Sequence, residues 1–209
     1  MRHLIGHSRD GRPIYAYENG DPRGRKILVV GCIHGNEQAG IPVAEALERV
    51  KAPAGVDLWL VPVANPDGVA ADTRQNGAGV DLNRNFPFGW RDLEGIYDSG
   101  AHALSEPESR ALARLALRLH PAISIWFHQH LGVVDTSEGS VAIERRFARL
   151  VGEPAVPLTD YPGSAVSWEN HRFPGTTAFV VELGAGPLSA SSVARYANAV
   201  LAITRAANG

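Results

Sequence analysis

Short, almost uninterrupted apolar runs alternate along this chain with stretches whose apolar residues recur at helical spacing. Lys26-Ile27-Leu28-Val29-Val30-Gly31-Cys32 is rich in β-branched residues, the pattern of a strand buried on both faces. Residues 41–50 follow with helical periodicity, and Leu58-Trp59-Leu60-Val61-Pro62-Val63 predicts a second central strand. Asn65-Pro66-Asp67-Gly68 is turn chemistry, and it opens a Gly/Asn-rich loop over residues 70–100. Ser105-Glu106-Pro107-Glu108 predicts a helix start, with Ser105 as the cap and proline in the first turn. Pro121 stops that helix at His120. Further along, the pattern predicts a strand over 123–127, a helix over 141–151, a buried strand over 177–183 and an amphipathic helix over 191–207. Residues 153–175 have little periodicity and many turn formers, and read as a long functional loop. Neither internal repeats nor low-complexity segments interrupt the series, which is the signature of an α/β layer fold.

Composition narrows the class. At 209 residues the chain suits one domain, 1–209, able to bury roughly 70% of its unfolded surface. Its 44% apolar and 20% charged residues exclude a disordered or fibrous chain. With 20 basic against 22 acidic side chains, it carries no electrostatic footprint for nucleic acid or an anionic membrane. A single cysteine, Cys32, makes no internal disulfide, and inside an apolar strand it reads as a small buried hydrophobe. No stretch is long and apolar enough to span a bilayer, and the first residues lack a signal-type apolar core. The expectation is a soluble, cytoplasmic protein.

In such sheets ligands gather at the carboxyl ends of the strands. The polar residues there are His34 after the first predicted strand, Asn65 after the second, His128 after the third and Glu182 near the end of the fourth. His34-Gly35-Asn36-Glu37 sets an imidazole and a carboxylate three residues apart, able to grip one cation from a single turn. A catalytic zinc needs a third protein ligand and an open position. His128 is the natural third, and His130 competes because strand alternation points both rings the same way. Glu182, alone in Phe179-Val180-Val181-Glu182-Leu183, should be desolvated, which would raise its pKa toward the range useful to a general base. His3, His7, His102, His120 and His171 have no partner pattern, and the four tryptophans, including Trp168, read as packing residues.

Four blocks carry a resemblance: Gly11-Arg12-Pro13-Ile14, the His34–Glu37 block, Gly79-Val80-Asp81-Leu82-Asn83-Arg84-Asn85-Phe86, and Phe179-Val180-Val181-Glu182-Leu183. In this order they resemble the carboxypeptidase A-type zinc metallocarboxypeptidases, especially a compact bacterial branch that includes murein peptide amidases. The resemblance implies a three-layer αβα sandwich on a mixed, mostly parallel twisted sheet. It implies one zinc ion per chain on His34, Glu37 and His128, the ligand set that carboxypeptidase A exemplifies. By the same resemblance Glu182 is the general base, and Arg74 helps zinc hold the oxyanion. Asn83 and Arg84 bind the terminal carboxylate of a small peptide, a task suited to the planar guanidinium fork.

Several positions depart from the family pattern. Asn36 stands where many digestive members have arginine, and their mobile tyrosine has no clear counterpart, although Tyr161 lies nearby before Pro162. Val166 and Ser167 align with positions that set side-chain preference, and neither is acidic, which argues against C-terminal Lys or Arg. His130 is a further candidate for contact with substrate. The function implied is zinc-dependent hydrolysis of a peptide or amide bond next to a free carboxylate, with γ-D-glutamyl-diaminopimelate bonds of murein peptides as the analogous substrate. An alternative is an acylamino-acid deacylase of the desuccinylase/aspartoacylase branch. That branch shares the His34–Glu37 block but tends to have aspartate where Trp126 stands here. A third reading is a non-catalytic, metal-containing binding domain.

Overall fold

The computed structural model describes residues 1–204. A hairpin of β1 (Arg2–His7) and β2 (Pro13–Gly20) opens the chain, followed by β3 (Arg25–Val30), α1 (Ile41–Arg49) and β4 (Val56–Val61). The short α2 (Pro66–Ala71) leads into a long loop, then α3 (Pro107–Leu119), β5 (Ile123–Asp135) and α4 (Val141–Val151). The two-residue β6 (Ala155–Val156), α5 (Ala165–Arg172), β7 (Thr177–Gly184) and α6 (Ala190–Thr204) complete it. The sheet runs β1-β2-β4-β3-β5, with β7 also paired to β5 and β6 joined to Val134 and Asp135 at the far end of β5. Pairings among β4, β3, β5, β6 and β7 are parallel, while β1–β2 and β2–β4 are antiparallel.

Alternation along the central strands fills two cores. Ile27, Val29, Ile125, Phe127, Phe179 and Val181 face α1, α4 and α6, whereas Leu28, Val30, Trp126, Ala178 and Val180 face α3 and α5. The result is the expected three-layer arrangement on a mixed, mostly parallel sheet. From β3 the chain crosses by α1 to β4 on one side, and from β4 it returns by α3 to β5 on the other side of β3. The strand order therefore reverses between β3 and β5, which opens a crevice at their carboxyl ends.

The structure departs from the sequence expectation at several elements. The β1–β2 hairpin precedes the strand that the sequence presents as first, and its half-exposed pattern lacks the long apolar run of a central strand. The Asn65–Gly68 turn tightens into α2, capped by Asn65 Oδ1 accepting from the Gly68 amide at 2.9 Å. Glu106 rather than Ser105 stands at the N-cap position of α3 and makes no capping hydrogen bond, and the Ser105 hydroxyl donates to Glu106 Oε1. β5 continues well past Phe127, its second half only partly covered. The expected loop over 153–175 contains α5, whose buried Val166 and Trp168 pack on the sheet. Two helical turns are too short a window to register as periodic in the sequence. The C-terminal helix spans Ala190–Thr204, and residues 205–207 of the expectation lie outside the described residues. No helix of the described residues is long and apolar enough to cross a membrane.

Candidate metal centre and active-site cavity

His34 and Glu37 leave the end of β3 in a loop pressed against the start of α2. A Cβ on Gly35 would come within 1.8 Å of the Gly68 carbonyl carbon, so only glycine allows this approach. His128 reaches the same place from β5. His34 Nδ1 lies 3.0 Å from Glu37 Oε1, His128 Nδ1 lies 3.0 Å from Glu37 Oε2, and the two Nδ1 atoms are 3.1 Å apart. Three donor atoms of the kind zinc prefers thus converge from buried side chains. Ligands about 2.1 Å from a tetrahedral ion are separated by about 3.4 Å, so the cluster needs little expansion to receive one.

The chemistry of the set fits as well as its spacing. His34 Nε2 lies 3.0 Å from Oδ1 of the buried Asp81, the partner that would keep the proton on Nε2 and free the Nδ1 lone pair when a metal replaces the Nδ1 contact with Glu37. Burial by itself would raise the Glu37 carboxyl, but hydrogen bonds from His128 and His34 pull it well below the carboxylate range. Asp81 is likewise held low against its burial, chiefly by the charge and hydrogen bond of His34 and then by Arg74. Both carboxylates are therefore ionised, the form that binds or supports a cation.

Around this cluster lies a cavity of about 370 Å³ that His34, Glu37, His128, Arg74, Asn83, Arg84, His130, Val166, Ser167 and Glu182 all line. Every candidate residue is thus brought to one place. Glu182 pairs in register with His128 across β5 and β7. It follows Ala178 and Val180 on one face of β7 and opens into the cavity, half-buried rather than sealed in the apolar surroundings that its neighbours suggest. Its Oε2 lies 3.5 Å from the Leu131 amide. Arg74 donates from Nε to Asp81 at 2.8 Å and from Nη1 to Glu37 at 2.9 Å, so it is clamped beside the ligand carboxylate.

Arg84, only 6% exposed, donates to the Asn83 carbonyl and has no carboxylate partner among the described residues. Burial lowers its pKa somewhat while nearby Asp81 opposes the shift, and it remains a cation. Asn83 directs Oδ1 to the Ala165 amide at 2.9 Å, tying this loop to the start of α5. His130 does not join His128 at the cluster. A register shift follows it in β5, and its exposed side chain sits at the cavity wall.

Three further residues belong to the site. Asp81 links His34, Arg74 and the Asn83 amide, yet in the sequence it is only one letter of a motif. Tyr161 faces the cavity with its ring centre 5.1 Å from the Arg84 guanidinium carbon, so it does more than pack beside Pro162. Tyr97 lies against both Arg74 and Arg84, at 5.4 and 5.6 Å. The available signal was an aromatic residue in a Gly-rich loop, which does not by itself reveal a cationic partner.

Comparison with known proteins agrees with this geometry. Murein peptide amidase A of Escherichia coli (strain K12) is 31% identical over 157 residues, which cover 68% of this chain and 64% of that protein. The chain thus spans just under two thirds of the curated relative's length. The crystal structure of a murein-tripeptide amidase from Escherichia coli O157 superposes with a TM-score of 0.81 at 26% identity, covering 98% of this chain and 91% of that one. Carboxypeptidase A from Helicoverpa armigera shares the fold at a TM-score of 0.83 and 18% identity, over 100% of this chain and 69% of that one. The catalytic-domain model of succinylglutamate desuccinylase and aspartoacylase matches residues 23–207 although Trp126 replaces the aspartate expected there. The carboxypeptidase-like fold and this match together place the chain in the succinylglutamate desuccinylase/aspartoacylase catalytic-domain family.

Proposed function

We propose that this chain is a zinc-dependent hydrolase of an amide bond next to a free carboxylate. The observation that supports this most is the shared cavity, where a three-ligand cluster, a facing carboxylate and a buried, uncompensated guanidinium line the same walls. His34, Glu37 and His128 would hold one zinc ion. Bound there, zinc supplies Lewis-acid polarisation of the scissile carbonyl and acidifies water. Arg84 and Asn83 hold the substrate's terminal carboxylate, which aligns the neighbouring amide. Glu182 takes a proton from the attacking water and returns it to the leaving amine. Arg74, kept in place by Asp81 and Glu37, offers its remaining N–H groups to the developing oxyanion.

The substrate class is drawn from the murein peptide amidase relatives, and a cytoplasmic setting from the single cysteine. The family match favours a second reading, removal of an acyl group from an N-acylated amino acid. Both reactions present a carboxylate beside an amide. Elemental analysis of the purified protein should find about one zinc per chain, lost in His128→Ala, and a protein that takes up no zinc overturns the proposal. Glu182→Gln should keep zinc and peptide binding while turnover falls by about 10²-fold or more. Steady release of diaminopimelate from murein tripeptide supports the peptidase, whereas turnover of N-acyl amino acids alone supports the deacylase.

A further inference from the structure

The ladder that joins β3 to β5 ends at Val30 and Trp126, before His34 on one strand and His128 on the other. β5 and β7 stay paired as far as His130 and Gly184, but among the described residues no strand pairing holds the Glu37 loop to either. Gln129, next to His128, spans that gap. Its Oε1 accepts from the Ala39 amide at 2.9 Å. Its Nε2 donates to the Gly184 carbonyl at 3.0 Å and to the Gly186 carbonyl at 2.9 Å. Its backbone amide donates to Glu37 Oε2 at 3.1 Å. The partners fix the orientation of the side-chain amide, since an N–H faces its oxygen and two carbonyls face its nitrogen. Ala39 lies two residues past the ligand Glu37, and Gly184 lies two residues past Glu182.

These bonds differ in kind from those within the ligand cluster. His34 and His128 meet Glu37 through the atoms that an ion would take, so those contacts give way when the site is filled. The Gln129 side chain bonds only to main-chain groups, which a bound ion leaves free. Packing of Gly40 on Phe127 sets how deep the Glu37 loop lies but reaches no part of β7. Glu182 itself has one long contact, from the Leu131 amide. Past the ladder, β7 leaves through Gly184-Ala185-Gly186, and Gln129 holds the carbonyls of both glycines.

We propose that Gln129 is a positioning residue whose side-chain amide clamps the Glu37 loop to the exit of β7 and so sets the separation between the ligand cluster and Glu182. The proposal rests on the hydrolase reading only for the task given to Glu182. Proton transfer requires heavy atoms about 2.6–3.2 Å apart, so a shift of about 1 Å at either end of the clamp is costly. Both N–H groups of the amide are spent on the main chain, so Gln129 acts through this spacing rather than as a donor to substrate.

Two ligands of the zinc-loaded protein test this without requiring turnover. Azide binds a metal alone, whereas acetohydroxamate binds the metal and also hydrogen-bonds to a carboxylate beside it. Glu182→Gln sets the scale, through the loss it causes in the ratio of acetohydroxamate to azide affinity. Gln129→Met keeps the length of the side chain and removes its hydrogen bonds. It should cut that ratio by about tenfold, the size of one charge-assisted hydrogen bond, while zinc and azide affinities change by less than about twofold. In turnover, kcat should fall by about 10- to 100-fold at nearly constant KM. Gln129→Glu turns an oxygen toward the two β7 carbonyls, and its charge acts on both anionic ligands alike. The same loss in the ratio is expected there, which keeps the test open if Gln129→Met does not fold. A ratio that the Gln129 variants leave unchanged overturns the proposal. So does a parallel loss of zinc, azide and hydroxamate binding, the result of a merely structural role. A ratio that Glu182→Gln leaves unchanged would put Glu182 out of reach of the metal and overturn it as well. Absence of turnover in the native protein beside the expected ratios would remove the hydrolase reading and leave the positioning role standing.

Discussion

His34 is able to act as a ligand because of what its other nitrogen touches. Asp81 accepts a hydrogen bond from Nε2 at 3.0 Å and others from Arg74 and the Asn83 amide, so one buried carboxylate orients a ligand, an oxyanion donor and a carboxylate clamp. Supporting contacts of this kind typically contribute 10- to 100-fold in metal affinity. Asp81→Asn keeps the shape and removes the charge. Its zinc affinity, measured by chelator competition, should fall by about that factor, and an unchanged affinity would reduce Asp81 to a loop-shaping residue.

At the scale of the element, α5 shows how a helix absent from the sequence pattern governs the site. Its entry packs on the substrate loop, where a Cβ on Gly163 would meet the Arg84 carbonyl oxygen at 2.2 Å at a φ of +68° that glycine tolerates. Farther along, Glu169 is fully buried against the sheet beside Ser124 and Trp126, and burial outweighs those polar neighbours and pushes its pKa up to about 8. In the unfolded chain the same group titrates near 4.5. Between those values the native state holds a proton that the unfolded state has lost, so stability decreases as pH rises from about 4.5 to about 8. Glu169→Gln keeps the uncharged shape. In urea unfolding it should match the native protein near pH 5 and become progressively more stable than it toward pH 8. A difference that does not change with pH would refute this account.

For the whole molecule, the ligand cluster joins residues far apart in sequence, since Glu37 and His128 are 91 positions apart. The unfolded chain cannot assemble that set, so zinc binds the native state almost exclusively and stabilises it. Zinc at a thousandfold excess over its Kd should add about 4 kcal/mol, a rise in Tm on the order of 10 °C for a chain of this size. A chelator should reverse the shift, and His128→Ala should not show it. Equal melting with and without zinc would mean that the cluster is held by its own hydrogen bonds and has no metal to bind.

Much of this protein was legible in one dimension. The doubly buried strands, the helices between them and the His34–Glu37 pair are all local patterns, fixed by alternation, helical spacing or a single turn, and the strand ends indicated where chemistry would gather. The motif blocks indicated the fold as well, although the family match fell on the branch treated as the alternative, because a shared His34–Glu37 block does not separate two groups built on one scaffold. Other features depended on contacts between distant positions. Asp81 meets His34 across 47 positions, and Gln129 meets Ala39 across 90. The same limit affected α5, too short to be periodic, and Glu182, whose adjacent Val181 and Leu183 point to the opposite face of β7 and leave it open to the cavity. The sequence determined the layers and the ligand pair because their causes lie within a few residues. Tertiary structure alone decided which carboxylate supports a ligand, which guanidinium stays uncompensated and which side chain ties the strand ends together, because each depends on groups that only folding brings within hydrogen-bonding range.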